Sequence, residues 1–500
     1  MTQGVIAGID AGTSKVKTSL FSLDGTLLRE VSADVTICNP AAHHVEIDVN
    51  ELFASVIRSL KTLLHGYEDR LLSIGLSVTS PTLVLIDRDL NAIRPATVYL
   101  DNRCAQLVEH YTSEIGGKES YFIKVGNNPS PSTCVAATIN WLRMHEPETW
   151  CRVYKIGFLN TFLAGKLTGN LAVDPTVSSY SGLMDIAKPD RWDDDLLTFF
   201  DIDRDLLPPV MSSACKVGEL TSEMADAVGT KRGIPVALGG ADSAATSFAL
   251  GAMQHGDVIQ SMGTSEVTTF CHDTPDFSSA FMNRSHVWPG LWLSHGAMST
   301  TGGAINWLLS HVFPEISSEE DLENEALCSP LGAGGVIFLP YLCGERSPIF
   351  DPKATGVFFG LSLATRRCDL VRAVFEGAAY GVRQIYRIGA DIWKAQPEYI
   401  SCVGGASKSP LAVQLRADAL NMEFRSIEAD AAASYGAALL GGFAAGVFGD
   451  VATLPCLKAH DKVIRPTQAG VAHFVKHSHI YDRLYPGLKD LMHLAHSYCE

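Results

Sequence analysis

The sequence predicts an α/β protein built as two similar domains that face a shared cleft. Three observations carry this expectation: the length and composition of the chain, a strand-turn-strand unit near the N-terminus, and a second copy of that unit in the other half. The 500 residues are 46% hydrophobic and 19% charged, enough to bury large cores and to form two to four domains. A formal net charge of -16 speaks against a general affinity for nucleic acid or for an anionic membrane surface, since both rely on surplus Lys and Arg. The 12 cysteines are scattered without a C-x-x-C pair, and the N-terminus MTQGVIAGID has neither the basic head nor the long apolar core of a signal peptide. Reduced thiols and a cytoplasmic location are expected. The longest apolar run, near Ala437 to Phe448, is broken by glycines and stops short of the roughly 18 residues of a membrane span, so no membrane partner is expected.

The first unit surrounds GIDAGTSKVKTSLF, Gly8 to Phe21. Val5 to Ile9 reads as a buried strand, and Lys17 to Phe21 continues with strand-type residues into the turn Asp24-Gly25. A Walker A loop needs G-x-x-x-x-G-K-[ST] ahead of a helix, and a dinucleotide fingerprint needs G-x-G-x-x-G in the same setting; this loop joins two strands and has neither. In a hairpin turn, Gly12 lets backbone amides converge, Thr13 and Ser14 offer hydroxyls, and Asp10 stands at the strand end. Such a set can grip phosphate oxygens or a hydrated metal. An ordinary hairpin fits the same residues equally well. The second unit, DVIQSMGTSEVTTF from Asp257 to Phe270, repeats the apolar strand, places Gly263, Thr264 and Ser265 at the turn, and continues into the alternating VTTF. Two such turns facing each other could clamp one polyphosphate, and clefts between domains are where small ligands tend to bind.

Between the two units, IPVAL (Ile234 to Leu238) reads as a buried strand and Gly239-Gly240-Ala241 as a tight turn. Asp242-Ser243 then opens the helix-compatible run AATSFALGAM. Asp242 therefore belongs at a helix N-terminus. A plain N-cap is one reading. The other is a general base that takes the proton of a substrate hydroxyl during phosphoryl transfer, its ionised form favoured by the helix dipole.

With Asp10-Ala-Gly12-Thr13-Ser14, GGAD ending at Asp242, and Gly263-Thr264-Ser265 in this order, the chain resembles the FGGY carbohydrate kinases of the actin-like ATPase superfamily, nearest to its xylulokinase-like members. FLPYLCGERSPIFDPKATGVFFGL (Phe338 to Leu361) is similar to that family's signature, and RAVFEGAAYGVR (Arg372 to Arg383) to the helix expected next. SCVGGASKSPLAVQLRAD (Ser401 to Asp418) is similar to its adenosine-binding segment, and SYGAALLGG fits near the end. The motifs run from about residue 5 to about residue 445. The resemblance implies two ribonuclease H-like domains, 1–247 and 248–500, with a nucleotide cleft between them and the sugar site mainly in the first. It implies Asp242 as the base. Asp10, Gly12, Thr13 and Ser14 would lie near the phosphates of ATP, with Asp10 toward Mg²⁺ and with Gly263, Thr264 and Ser265 opposite. Gly302 and Asn306 of STTGGAINWL, together with Gly405, Ala406 and Ser409, would border the rest of the nucleotide. A glycine suits such places because a missing Cβ lets backbone approach a flat base or a phosphate.

The acceptor side departs from the pattern. After LLSIGLS (Leu71 to Ser77), xylulokinases carry Gln-Met-His and glycerol kinases Gln-Arg-Glu; this chain has Thr79-Ser80-Pro81. Ser80 offers one hydroxyl and Pro81 a rigid wall. PATVYLDNRCAQ (Pro95 to Gln106) is similar to the xylulokinase run W-N-D-x-R-C-A-Q, with Tyr99 for the tryptophan. Asp101 can accept hydrogen bonds from sugar hydroxyls beside Arg103, and an Asp101–Arg103 ion pair that only shapes the loop is an equal reading. Thr138 stands where a lysine is usual, and Asn160-Thr161 in place of Lys-Asp. All four departures fall in the first domain, while the nucleotide motifs are nearly intact. The expectation is an ATP- and Mg²⁺-dependent kinase of a small sugar or polyol, with a ketopentose such as xylulose first. Erythritol, ribulose, fuculose, gluconate and glycerol stay open as acceptors, and an actin-like ATP-binding regulator or chaperone is the alternative from another class. The paired His43-His44 and the tail HFVKHSH read as solvated or capping residues in preference to a metal site. Phe474, Val475, Tyr481, Leu484 and Tyr485 read as the apolar stripe of a helix packed on the second domain. Oligomeric state is left open, a homodimer included.

Overall fold

Two mixed sheets with one shared topology organise the chain, in a computed structural model that describes residues 4–427, 431–457 and 462–498. The first sheet carries, side by side, Lys216–Glu219, Pro235–Ala241, Leu71–Val78, Val5–Ala11, Lys15–Ser22 and Leu27–Asp34. The second carries Met282–Ser285, Trp292–Met298, Glu266–His272, Val258–Met262, Ile400–Val403, Phe424–Ser426 and Lys462–Ile464. In each, a central strand pairs antiparallel with the strand that follows it and parallel with one from much further along. Val5–Ala11 does so with Lys15–Ser22 and Leu71–Val78, and Val258–Met262 with Glu266–His272 and Ile400–Val403. The duplication is therefore one of topology as well as of sequence. The central strands are buried along nearly their whole length because they are covered on both faces. A smaller five-stranded sheet, which includes Thr82–Ile86, Ala96–Val98 and Lys155–Phe158, extends the first half.

The division at residue 247 does not separate the halves in space. Helix Ala432–Ala444, which holds all of SYGAALLGG, lies across the first sheet, and Tyr435, Ala438, Leu439 and Leu440 share one core with Val5, Ile6 and Leu76. Glycine makes the approach possible. A Cβ at Gly8 would fall 1.7 Å from the carbonyl oxygen of Ser434, and one at Gly75 would fall 1.8 Å from that of Ala437. At Gly436 the distance to the Ala245 carbonyl would be 2.0 Å, so this helix also meets helix Asp242–Ala249 backbone to backbone. The hydroxyl pair Ser19–Ser434, at 2.8 Å, closes the same contact. The strand end that carries Asp242 is thereby packed by chain from both halves.

The C-terminal helix Gln468–Ser497 runs straight through Pro486. Phe474, Tyr481 and Leu484 are buried, and Tyr380 of helix Arg367–Trp393 packs on Phe474 and Tyr481 at ring distances of 4.8 and 5.4 Å. Val475 departs from the expected stripe and is 59% exposed, because it stands one residue, about 100° of turn, away from Phe474. Among the described residues no helix is long and apolar enough to cross a membrane.

Candidate active site

The parallel strands Val5–Ala11, Leu71–Val78 and Pro235–Ala241 end together. In their register Asp10 lies opposite Ser77, and Ser77 opposite Gly240. Ser77 Oγ donates to Asp10 Oδ1 at 2.9 Å. Asp242 follows as the first residue of helix Asp242–Ala249, with Ala241 at the N-cap position, so Asp242 is one place beyond a cap. Its Oδ1 accepts from the adjacent Ser243 amide at 2.6 Å.

Both carboxyl groups are half-buried and hemmed in by protein, and that sets their ionisation. Burial pushes the Asp10 carboxyl up to about 7, helped by the like charge of Asp242 and opposed by the Ser77 hydroxyl and Lys17. Burial also raises Asp242, against the opposing pull of the Arg284 guanidinium and the Ser243 amide. The helix N-terminus, expected to favour the ionised form, is outweighed by desolvation. Two carboxyls that resist ionising together make a place that suits one proton or one cation.

The two expected turns are present as hairpins. Val5–Ala11 and Lys15–Ser22 close around Gly12-Thr13-Ser14, and Val258–Met262 and Glu266–His272 around Gly263-Thr264-Ser265. In each the glycine spends its own amide on closing the turn: Gly12 donates to the Lys15 carbonyl at 2.9 Å, and Gly263 to that of Ser265 at 3.0 Å. The donors left to face a phosphate are therefore the Thr and Ser that follow. Thr13 Oγ1 lies 3.0 Å from Thr79 Oγ1, and the Thr79 amide donates to Ala11. The departure at Thr79 thus ties the acceptor-side loop to the first hairpin. Ser80 Oγ is buried, and no protein group among the described residues bonds to it.

A cavity of about 810 Å³, large enough for a nucleoside, opens beside the second hairpin. Gly263, Thr264, Gly302, Asn306, Gly405 and Ala406 all border it, as does Ser409. The Ser409 side chain accepts from the Ala412 amide and caps helix Pro410–Leu420, so its hydroxyl oxygen already has a structural bond. Ser265 and the residues of the first hairpin lie outside this lining, which comes wholly from the second half of the chain. Gly302 is where the wall touches the hairpin: a Cβ there would meet the Gly263 carbonyl oxygen at 2.3 Å. The next amide, of Gly303, donates to Thr264 at 2.9 Å.

Asp101 and Arg103 form a buried network. Both Asp101 oxygens accept from Arg103, and one accepts from the Val45 amide at 2.7 Å. Arg103 also pairs with Glu46 at 2.5 Å, and its side chain is 1% exposed. Of the two readings left open by the sequence, this geometry is that of the loop-shaping pair. Thr138 is buried and donates to Cys104 Sγ at 3.2 Å. Asn160 donates to Asp174 at 3.0 Å. Asp174 in turn accepts from the Thr176 amide at 2.8 Å, and the Thr176 hydroxyl accepts from the Ala241 amide at 2.7 Å. A residue that departs from the pattern thus supports, three bonds away, the strand end that carries Asp242.

Several residues at these sites were not singled out from the sequence. The pair Glu266–Arg416, bidentate at 2.7 and 3.0 Å, braces one wall of the cavity; Glu319, Glu320 and Glu323 of helix Glu319–Leu327 border another. Arg284, on the edge strand of the second sheet, reaches the Asp242 turn. No local pattern shows what they meet, because their partners are distant in sequence. A different signal was present for Glu266, which directly follows Gly-Thr-Ser.

Comparison with known proteins identifies the family. The FGGY family of carbohydrate kinases, N-terminal domain, matches residues 5–249, and its C-terminal domain matches residues 258–445. The chain is 27% identical over 494 residues to a xylulose kinase of Lactococcus lactis, covering 98% of both chains. The crystal structure of xylulose kinase from Rhodospirillum rubrum superposes with a TM-score of 0.91 at 26% identity, covering 98% of this chain and 100% of that one. Gluconate kinase from Lactobacillus acidophilus gives the same TM-score, 0.91, at 23% identity and 97% and 98% coverage, which shows the shared fold alone.

Proposed function

Because the chain belongs to the FGGY family of carbohydrate kinases, we propose that it transfers the γ-phosphate of ATP to a hydroxyl of a ketopentose, with xylulose as the first acceptor. That it is a sugar kinase using ATP follows from the family. The choice of acceptor is supported by the end-to-end likeness to xylulose kinase relatives. The observation that carries the mechanism is the placement of Asp242, a carboxyl raised by burial at a helix start where three strands end. Raised from its ordinary value, it is a stronger proton acceptor than a surface carboxylate, which suits a general base. It takes the hydroxyl proton as the oxygen attacks the γ-phosphorus in line.

The nucleoside would occupy the cavity of the second lobe, and the phosphates would run toward the Thr and Ser of the two hairpins. Mg²⁺, when bound with ATP, would neutralise charge on the phosphate oxygens. The residues present fit it: burial and the Asp242 charge resist the ionisation of Asp10, and a cation beside Asp10 relieves that. Among the described residues no group of three or more His, Cys, Asp or Glu side chains gathers around one point, so water and phosphate oxygens would supply most of the coordination. We assign the sugar, the first phosphate loop and the base to residues 1–247 and the second phosphate loop and the nucleoside to 248–500, with helix Ala432–Ala444 returning to brace the former.

The test is a coupled ADP-release assay over pentuloses, hexuloses, tetritols and glycerol, repeated on Asp242→Ala. The expected result is sugar-dependent turnover that falls about 10²- to 10⁴-fold in the variant with ATP affinity nearly unchanged. Turnover that ignores every sugar, or a variant with normal kcat, overturns the reading.

A further inference from the structure

Arg284 sits on strand Met282–Ser285, the edge of the second sheet, yet its surroundings belong to the first lobe. The strand is stitched there on both sides. The Asn283 amide donates to Asn127 at 2.8 Å, Asn127 Nδ2 donates to the Asn283 carbonyl at 2.8 Å, and the Ser285 amide donates to Ser179 Oγ at 3.0 Å. Arg284 itself is 3% exposed. Its guanidinium lies over the Tyr180 ring at 4.2 Å, and Nη1 donates to the hydroxyl of Ser243, the neighbour of Asp242, at 3.0 Å.

What sets this arginine apart is its lack of a counter-ion in contact. Arg103, Arg372 and Arg416, buried to a similar degree, each hold a carboxylate at 2.7 Å. Among the described residues Arg284 has no carboxylate within the 4.0 Å of an ion pair, and its Nε has no protein acceptor. A desolvated guanidinium with a donor unused is costly, and protein interiors avoid it unless a ligand completes the set. The ring beneath and the Ser243 bond fix the plane of the group, so the Nε–H has one direction. On the neighbouring strand, His295 repeats the pattern. Its Nδ1 is 2.9 Å from Thr269 Oγ1, while Nε2 is buried without a partner. Burial and the Arg284 charge hold that imidazole neutral, well below its usual value.

We propose that Arg284 is an acceptor-binding residue lent by the second lobe to the sugar site, where its Nε–H takes an sp² oxygen of the sugar, a keto or a carboxylate oxygen. Such an oxygen only accepts, and a guanidinium only donates, so the match is complete without the extra proton that an alditol hydroxyl would bring. The inference rests on the sugar-kinase reading of Asp242, whose helix start the same arginine holds through Ser243.

Three probes separate the possibilities: D-xylulose carries a keto oxygen, D-gluconate a carboxylate, and xylitol neither. The unmodified protein is expected to phosphorylate xylulose or gluconate with a lower KM than xylitol, and whichever wins identifies the oxygen. Arg284→Gln is expected to raise the KM for that sugar about 10- to 100-fold, leave the ATP KM within about twofold, and narrow the gap to xylitol. Arg284→Lys, which keeps the charge but loses the planar donor and the ring contact, is expected to recover only part of the loss and serves where the Gln variant does not fold. An acceptor KM that stays put in either folded variant overturns the assignment, as does a fall in kcat alone, which would mean that Arg284 acts only through Asp242. An unmodified protein that prefers xylitol overturns it too. One that phosphorylates none of the three but takes a tetritol or glycerol overturns this inference and leaves the kinase reading standing, whereas one that turns over no acceptor of the wider panel removes both.

Discussion

Replacing Gly302 by alanine tests whether the second hairpin is held in place by a backbone contact. The new Cβ would lie 2.3 Å from the Gly263 carbonyl oxygen and 3.2 Å from Thr264 Cα, whereas ordinary contact begins at 3.4 Å. Neither neighbour is a side chain that can rotate away, so helix Thr301–Trp307 and the hairpin must part by about 1 Å. Misplacing a reacting group by that distance costs on the order of 10² in rate. Gly303→Ala is the control on the same helix. Its Cβ would come no closer than 3.5 Å to Thr264 Cγ2, so nothing has to move, and replacing a helical glycine should add roughly 0.5–1 kcal/mol of stability. The assay is ADP release against ATP concentration for both variants, alongside thermal unfolding. Gly302→Ala should lose about 10²-fold in kcat/KM for ATP, and Gly303→Ala should melt slightly higher with activity intact. Equal activity in the two variants would refute the idea that Gly302 positions the hairpin.

The packing of the crossing helix yields a second expectation: Gly75→Ala, whose Cβ would sit 1.8 Å from the Ala437 carbonyl, should destabilise by at least the 1–3 kcal/mol of an overpacked core, read as a lowered Tm. Glu345, 4% exposed, accepts from the Ser299 and Arg346 amides at 2.7 and 2.8 Å, while burial pushes its carboxyl up to about 7. A raised acid is favourable to the fold while protonated, so its contribution is complete below pH 4.5 and is lost as pH climbs through about 7. Glu345→Gln keeps an oxygen for both amides and should flatten that part of the Tm–pH curve; a variant whose curve parallels the unmodified protein's would remove Glu345 as its source. Breaking the buried Glu266–Arg416 pair with Arg416→Ala should cost about 3–5 kcal/mol in urea unfolding and raise the ATP KM, since the pair braces the nucleoside cavity. Loss of stability alone, at an unchanged ATP KM, would confine the pair to a structural role.

Much of the geometry of the two hairpins was legible because its requirements are local and fall on the backbone. A turn that spends its first amide on closing itself, as Gly12 and Gly263 do, needs a small residue followed by hydroxyl donors, and three adjacent letters record that need. Gly302 is readable for the same reason: it marks a place where a side chain would fill space that the hairpin occupies. Helix Ala432–Ala444 was legible as a motif but not as a position, since nothing in SYGAALLGG says which sheet it crosses. That information is held jointly by Gly8, Gly75 and Gly436, which lie far apart in the chain. The ionisation of Asp242 was misjudged from sequence because a helix terminus is a local feature, whereas the desolvation that outweighs it is a property of everything packed around it.

The acceptor side follows the opposite rule, and Asp101 and Asn160 show why. Each looked like a substrate contact or a lost one, and each proves to be engaged inside the protein: Asp101 with Arg103 and the Val45 amide, Asn160 with the Asp174–Thr176 relay beneath Ala241. A polar residue that departs from a family pattern in a first-lobe segment can therefore change the support of the base without meeting the sugar. Conversely, the residue with the strongest physical reason to meet an acceptor, Arg284, stands on a strand of the other lobe and outside every motif. Specificity in this architecture is composed from side chains that several segments converge to place, so it is written in which buried polar atoms lack partners. Arg284 Nε, His295 Nε2 and Ser80 Oγ are such atoms. A sugar that satisfies them gains the bonds they lack, and one that does not leaves them desolvated, which is how a pocket rejects a near relative of its substrate.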